Sequence, residues 1–150
     1  MLTLKWFMGD RDSLADTKAI RKSVFVDEMG VCQEEEDDGQ DASCIHLVAY
    51  ENCKPIATGR VMITNDDFIL GRLATVKESR NQGIATGIVE ALVEACVHMG
   101  GNRQILTAPL GAKGFFEKIG FTPYGDGGGE AIQMEHFGGL RKCGGCGSCA

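Results

Sequence analysis

The sequence predicts a mixed α/β domain built on one sheet, and three observations carry that expectation. Residues 45–76 read as a three-strand meander, with turn residues at Asn52-Cys-Lys54 and Asn65-Asp-Asp67. Residues 72–100 read as a strand, a sharp loop and a long helix. After that helix, short strands and a short helix follow in close succession. At 150 residues the chain has the length of one domain with one core. A composition of 43% hydrophobic and 24% charged residues is ordinary for a globular protein.

The elements follow in order. Residues 2–7 alternate enough to form a first strand. Ser13-x-x-Asp16 resembles a capping box, and Thr17, Ile20 and Val24 share one helical face, so a helix should run to about Phe25. Residues 27–44 have no clear period. They carry six acids between Glu34 and Asp41, with Gly30 and Gly39 as breaks. Residues 45–50, 55–64 and 68–76 are the meander strands. The long helix starts at Ile84 and places apolar residues 84, 88, 91, 92, 95 and 99 on one side. Residues 104–108 form a strand ended by Pro109, and 111–119 a helix. Residues 121–124 and 131–137 are two strands joined by the glycine-rich loop 125–129. From Gly138 the composition turns to glycine and cysteine. The packed domain should therefore span 1–137, with 138–150 as a tail.

A net charge of −6 argues against a nucleic-acid backbone as main partner and suits a cationic small molecule or peptide. No apolar run approaches the ~18 residues of a membrane span, and the N-terminus lacks a signal peptide's pattern, so a cytoplasmic location is expected. The seven cysteines are an odd count. Cys32, Cys44, Cys53 and Cys96 have no framework spacing, so reduced thiols are expected.

Function is most legible at the long helix's start. The first four N–H groups of a helix lack internal partners, and the macrodipole places positive charge there. Arg80 adds a full charge, while Gly83 and Ala85 leave the backbone open to an anion. The P-loop pattern G-x-x-x-x-G-K-[ST] and the dinucleotide pattern G-x-G-x-x-G are both absent.

Arg80-x-x-Gly83-x-Ala85, preceded by Leu73-Ala-Thr-Val76, resembles the [QR]-x-x-G-x-[GA] motif of the GNAT superfamily of N-acetyltransferases. A second stretch, Leu106-Thr-Ala-Pro-Leu-Gly-Ala112-Lys-Gly-Phe115-Phe-Glu-Lys-Ile-Gly120-Phe121, is similar to that family's L-x-A-x-x-x-A-x-x-F-Y-x-x-x-G-F. Arg21-Lys-Ser-Val-Phe-Val-Asp-Glu28 and His46-Leu-Val-Ala49 resemble the R-x-x-V-F-V-x-E and H-L-V-A of its ElaA-like group. The resemblance spans about residues 1–137, with three spaced motifs in order.

The resemblance implies the GNAT fold, in the order β-α-loop-β-β-β-α-β-α-β-β, with acetyl-CoA as cosubstrate. It implies direct transfer of acetyl to a primary amine of a small molecule or peptide. The amides of Gln82, Gly83, Ile84, Ala85 and Thr86, with the Arg80 side chain, would hold the phosphates. Backbone groups at Thr75 and Val76 would take the pantetheine arm, and an N–H near Val76 would face the carbonyl oxygen. The plain alternative is an ordinary helix start with a surface arginine.

Phe116 stands where many GNATs carry a tyrosine that protonates the departing thiolate. A positioned acid contributes typically about 10²- to 10⁴-fold. A thiol with a pKa near ~8.5 leaves fairly well without one. Water or another side chain, such as Tyr124, would replace the acid, or the enzyme is slow; alternatively Phe116 is only packing. Thr107 and Pro109 also depart from the His and Gln of close relatives. Glu28 and His46 match the ElaA-like pattern and are candidate bases, against their plainer readings as a solvated helix-end acid and a structural histidine. The acid run 34–41 is either a solvated loop or a field that draws in a cation.

Cys143, Cys146 and Cys149 have spacing that resembles part of a metal site but lack a fourth ligand, so no metal is expected. Two rival readings follow: an acyl-CoA-binding or regulatory module with little catalysis, and a metal or redox role for the tail. A homodimer stays open.

Overall fold

The computed structural model describes residues 2–65, 67–125 and 131–139. Strand β1 (Leu2–Met8) leads into helix α1 (Ala15–Arg21), and a one-turn helix α2 (Gln33–Glu36) interrupts the acidic stretch. Strands β2 (Cys44–Glu51), β3 (Lys54–Thr64) and β4 (Asp67–Thr75) form the meander. Helix α3 (Ile84–His98), strand β5 (Arg103–Pro109), helix α4 (Lys113–Ile119) and strands β6 (Thr122–Pro123) and β7 (Ala131–Phe137) complete the order. The seven strands lie in the order β1-β2-β3-β4-β5-β7-β6. Every neighbouring pair is antiparallel except β4–β5. The mixed sheet and element order match those expected from the sequence. The tail residues Cys143, Cys146 and Cys149, and most of the loop 125–129, lie outside the described residues.

Strand alternation divides the core between the two sheet faces. Leu47, Ala49, Val61 and Leu70 pack with Ile88, Leu92 and Val93 of α3 on one face. Val48, Tyr50 and Ala74 pack with Ile20 and Val24 on the other. The buried side of α3 comprises Ile84, Ile88, Val89, Leu92, Val93 and Cys96. Met99, placed on that side by periodicity, instead lies past the last helical turn and is exposed.

Two local expectations change. The capping box at Ser13 does not form, because Leu14 is the N-cap and Ser13 Oγ accepts from the Ala15 N–H at 3.3 Å. Asp16 is drawn instead to the sheet, where its carboxylate accepts from the Tyr50 hydroxyl at 2.5 Å. The helix also continues beyond Phe25 as a π-helical stretch, Lys22–Glu28. The Met29 N–H reaches Val24 O at 3.0 Å, and the Val31 N–H reaches Phe25 O at 2.8 Å. Cys32, Cys44, Cys53 and Cys96 are free thiols.

Candidate active site

The site begins where the sheet opens. Parallel β4 and β5 are in register only at Phe68–Gln104 and Ile69–Ile105. From there the two strands diverge, and the β5-facing edge of β4 loses its partner. The opposite edge is bulged: Thr58 faces Ala74 and Arg60 faces Gly71, so Arg72 and Leu73 together oppose Gly59. Arg72 adopts a φ of +48°, a conformation uncommon for a residue with a side chain. The extra residue re-phases the strand, so that Leu73 joins Leu70 on the α3 face while Ala74 faces α1. A cavity of about 880 Å³ fills the opening.

The helix start lies at this cavity. Gly83 is the N-cap of α3 with φ +77°, and no side chain caps it. Gly87 N–H makes the helix's opening bond to Gly83 O at 3.1 Å. The amides of Ile84, Ala85 and Thr86 precede that bond and have no helical acceptor. Gly83, Ile84, Ala85, Thr86, Thr75, Arg80 and Phe116 all line the cavity, whereas Gln82 and Val76 do not.

Arg80 is fully engaged. Its Nη1 and Nη2 each lie 2.6 Å from a Glu28 carboxylate oxygen, and its Nε donates to Thr75 O at 3.0 Å. The guanidinium holds the Glu28 carboxyl below its ordinary range. Glu28 is thus the partner of Arg80 and does not itself line the cavity. The Val76 N–H donates to Ile56 O at 2.9 Å, so it is not free to face a carbonyl oxygen.

Within the acid run Glu36 and Asp41 are buried and paired and Asp38 is paired at the surface, whereas Glu34, Glu35 and Asp37 are exposed. Arg21, 1% exposed, donates from Nη1 to Asp41 at 2.7 Å and from Nε to Glu36 at 3.0 Å. Arg60 donates to Asp41 at 2.9 Å and also pairs with Asp38. Arg72 reaches the Glu36 carbonyl from Nη2 at 3.0 Å and its carboxylate from Nε at 3.2 Å. Burial pushes the Asp41 carboxyl up, but Arg21 and Arg60 pull it further down, leaving it below the usual carboxylate range. This ionic cluster pins α2 over the β4 bulge.

His46 belongs to that cluster rather than to the cavity. It is fully buried and does not line the opening. Its Nε2 lies 3.0 Å from Asp41 O, an atom that only accepts, so Nε2 carries the proton. Burial lowers its pKa, holding the ring neutral. Phe116 is 5% exposed, with its ring edge-on to Phe115 at 4.9 Å and to Phe121 at 5.9 Å. Tyr124 is not brought to the cavity; its ring lies under the Arg103 guanidinium at 4.9 Å. Among the described residues, no Tyr, His, Cys or Lys lines the cavity. Glu35, Glu36 and Arg72 line the cavity as well, the first two from the acid run that the sequence marked as a field for a cation.

A diverging parallel pair that opens onto a bare helix start makes a cleft for a long ligand with an anionic end. A model of the acetyltransferase (GNAT) domain matches residues 42–123. An uncharacterised N-acetyltransferase of Bacillus subtilis (strain 168), YjcF, is 32% identical over 112 residues, covering 75% of this chain and 80% of that protein. The chain belongs to the GNAT acetyltransferase family. Escherichia coli ElaA has a similar fold, with a TM-score of 0.81 at 22% identity over 91% of this chain and 99% of that one. The PaiA N-acetyltransferase of Thermoplasma acidophilum, solved with coenzyme A, aligns with a TM-score of 0.67 at 15% identity, covering 90% and 99%.

Proposed function

We propose that this acyltransferase moves acetyl from acetyl-CoA directly to a primary amine, with the diphosphate at the start of α3 and the thioester between β4 and β5. The observation that carries the reading is the continuity of the cavity from the bare amides of Ile84, Ala85 and Thr86 to the bulge at Arg72. These groups fit an anionic, amide-bearing ligand. The helix start offers N–H donors and positive dipole, and the unpaired edge of β4 offers strand-like hydrogen bonding. Acetyl-CoA supplies the activated acyl group. The coenzyme A complex of PaiA supports this choice of ligand.

The chain's own work is positional. Unpaired N–H groups on the edge of β4 near the bulge, rather than that of Val76, would face the carbonyl oxygen as it gains charge. Apolar side chains make up much of the wall beside the attacking amine, and the exposed rim leaves solvent to carry protons. Phe116 has no proton to give, so the thiolate takes its proton from water. A second reading, an acyl-CoA-binding module with little turnover, draws on the buried Phe116 and on a cavity that, among the described residues, has no phenol or imidazole.

The test is at Gly83. Its φ of +77° is strained for most side chains, so Gly83→Asn, which tolerates that region, is the folding control. Gly83→Glu adds a like charge beside the diphosphate and should weaken acetyl-CoA binding by more than about tenfold. Calorimetry that finds unchanged affinity in a folded Gly83→Glu protein would sink the cradle assignment.

A further inference from the structure

We infer that the acceptor is a primary monoamine carried on an apolar alkyl or aryl body, with Glu35 receiving its ammonium group. This rests on the acetyl-CoA reading and adds the class of acceptor to it.

One wall of the cavity is largely hydrocarbon, although Thr58 and Thr107 also line the opening. The π-helical stretch after α1 brings Phe25 and Met29 to the cavity, and the Val31 N–H bond to Phe25 O folds Val31 back beside them. Leu106 and Phe115 line the cavity from β5 and α4. The charged groups at the same opening are almost all matched. Glu36 is held by Arg21 and Arg72, Arg72 by Glu36 and Asp38, and Arg80 by Glu28. Glu35 lines the cavity too, and its carboxylate has no ion-pair partner among the described residues. Its position is not arbitrary, because the Glu36 carbonyl is fixed 3.0 Å from Arg72 Nη2, directly over the bulge.

One unmatched carboxylate therefore stands beside apolar walls, next to where the thioester would lie. A single ammonium can meet Glu35 while its body displaces water from Phe25 and Val31. The amine then attacks as the neutral form, its proton lost to solvent at the exposed carboxylate. A polyamine would leave further ammonium groups against hydrocarbon, where no counter-charge offsets their desolvation. An amino sugar would strand hydroxyl groups there without partners.

The experiment has two stages on the full chain. Calorimetry measures acetyl-CoA binding to the native protein and to Glu35→Gln. Thiol release is then followed with phenethylamine, hexylamine, spermidine and glucosamine. The expected result is acetyl-CoA affinity equal within about threefold in both proteins, with kcat/KM for the two apolar amines at least about tenfold above the other two. Glu35→Gln should raise KM for phenethylamine about tenfold while changing kcat less than about threefold. An unchanged KM, preference for spermidine or glucosamine, or acetyl-CoA binding with no turnover of any of these amines overturns the acceptor assignment. Failure of acetyl-CoA to bind overturns the cosubstrate reading, and the acceptor class with it.

Discussion

At the residue scale, the Glu28–Arg80 pair sets two expectations against each other. Arg80 is the cation of the proposed phosphate cradle and Glu28 a candidate base, yet each occupies the other through a bidentate contact. A diphosphate must compete with that carboxylate for the guanidinium. Both groups are about one-third exposed, so the competition is screened and modest. Glu28→Gln should therefore tighten acetyl-CoA binding by about threefold, read by calorimetry at low salt. Weaker binding would mean that Glu28 orients Arg80 for the ligand instead of competing with it. The sign with pH agrees. Arg80 depresses the Glu28 carboxyl, so the pair is intact at neutral pH and loosens only as pH falls below the ordinary carboxylate range. The sequence disclosed each residue by its motif but not the pairing, because 52 positions separate them. The same holds for His46: its motif was visible, while the burial that keeps it neutral and the Asp41 carbonyl that fixes its Nε2 proton were not. Phe116 both joins the core cluster and lines the cavity, so its two readings stand side by side.

At the scale of the element, β4 is where periodicity misleads. Residues 68–76 read as one strand, and the length is right to within a residue at either end. The bulge at Arg72 and Leu73 left only a faint trace, a slip of phase between Leu70 and Leu73 that a short run cannot separate from noise. Its cause lies on a different strand. Gly59 has no side chain where a Cβ would meet Leu73 Cδ2 at 2.7 Å and Leu92 Cδ1 at 2.8 Å. The bulged Leu73 thus uses the space that Gly59 leaves under α3. Gly59→Ala should destabilise the fold by about 1–3 kcal/mol, measured by urea unfolding. It should also weaken acetyl-CoA binding, because Leu73 cannot keep its place without moving the cavity edge. A stable variant with native affinity would show that the bulge is held by the Arg72–Glu36 contact alone.

At the scale of the molecule, the strand and helix order was legible because the meander, the α3 loop and the β5–α4 stretch each carry strong local signals. The spatial order of strands, with β7 inserted between β5 and β6, was not, since nothing local says which edge a late strand joins. The resulting sheet has two parts, β1–β4 and β5–β7, that share register at only two residue pairs. Leu106, Phe121 and Met134 add side-chain packing from the second part to the core under α3. Amides of β7 should therefore exchange in a unit less protected than β2 and β3, as native-state hydrogen exchange would show. Uniform protection across both parts would mean the core under α3 couples them fully. Regarded as a mechanism, the sheet is a pair of stiff leaves on a very short spine. The soft coordinate is then the angle between the leaves, and a bulkier acyl group would strain the junction at Phe68–Ile69 first, with Leu106, Phe121 and Met134 resisting the turn.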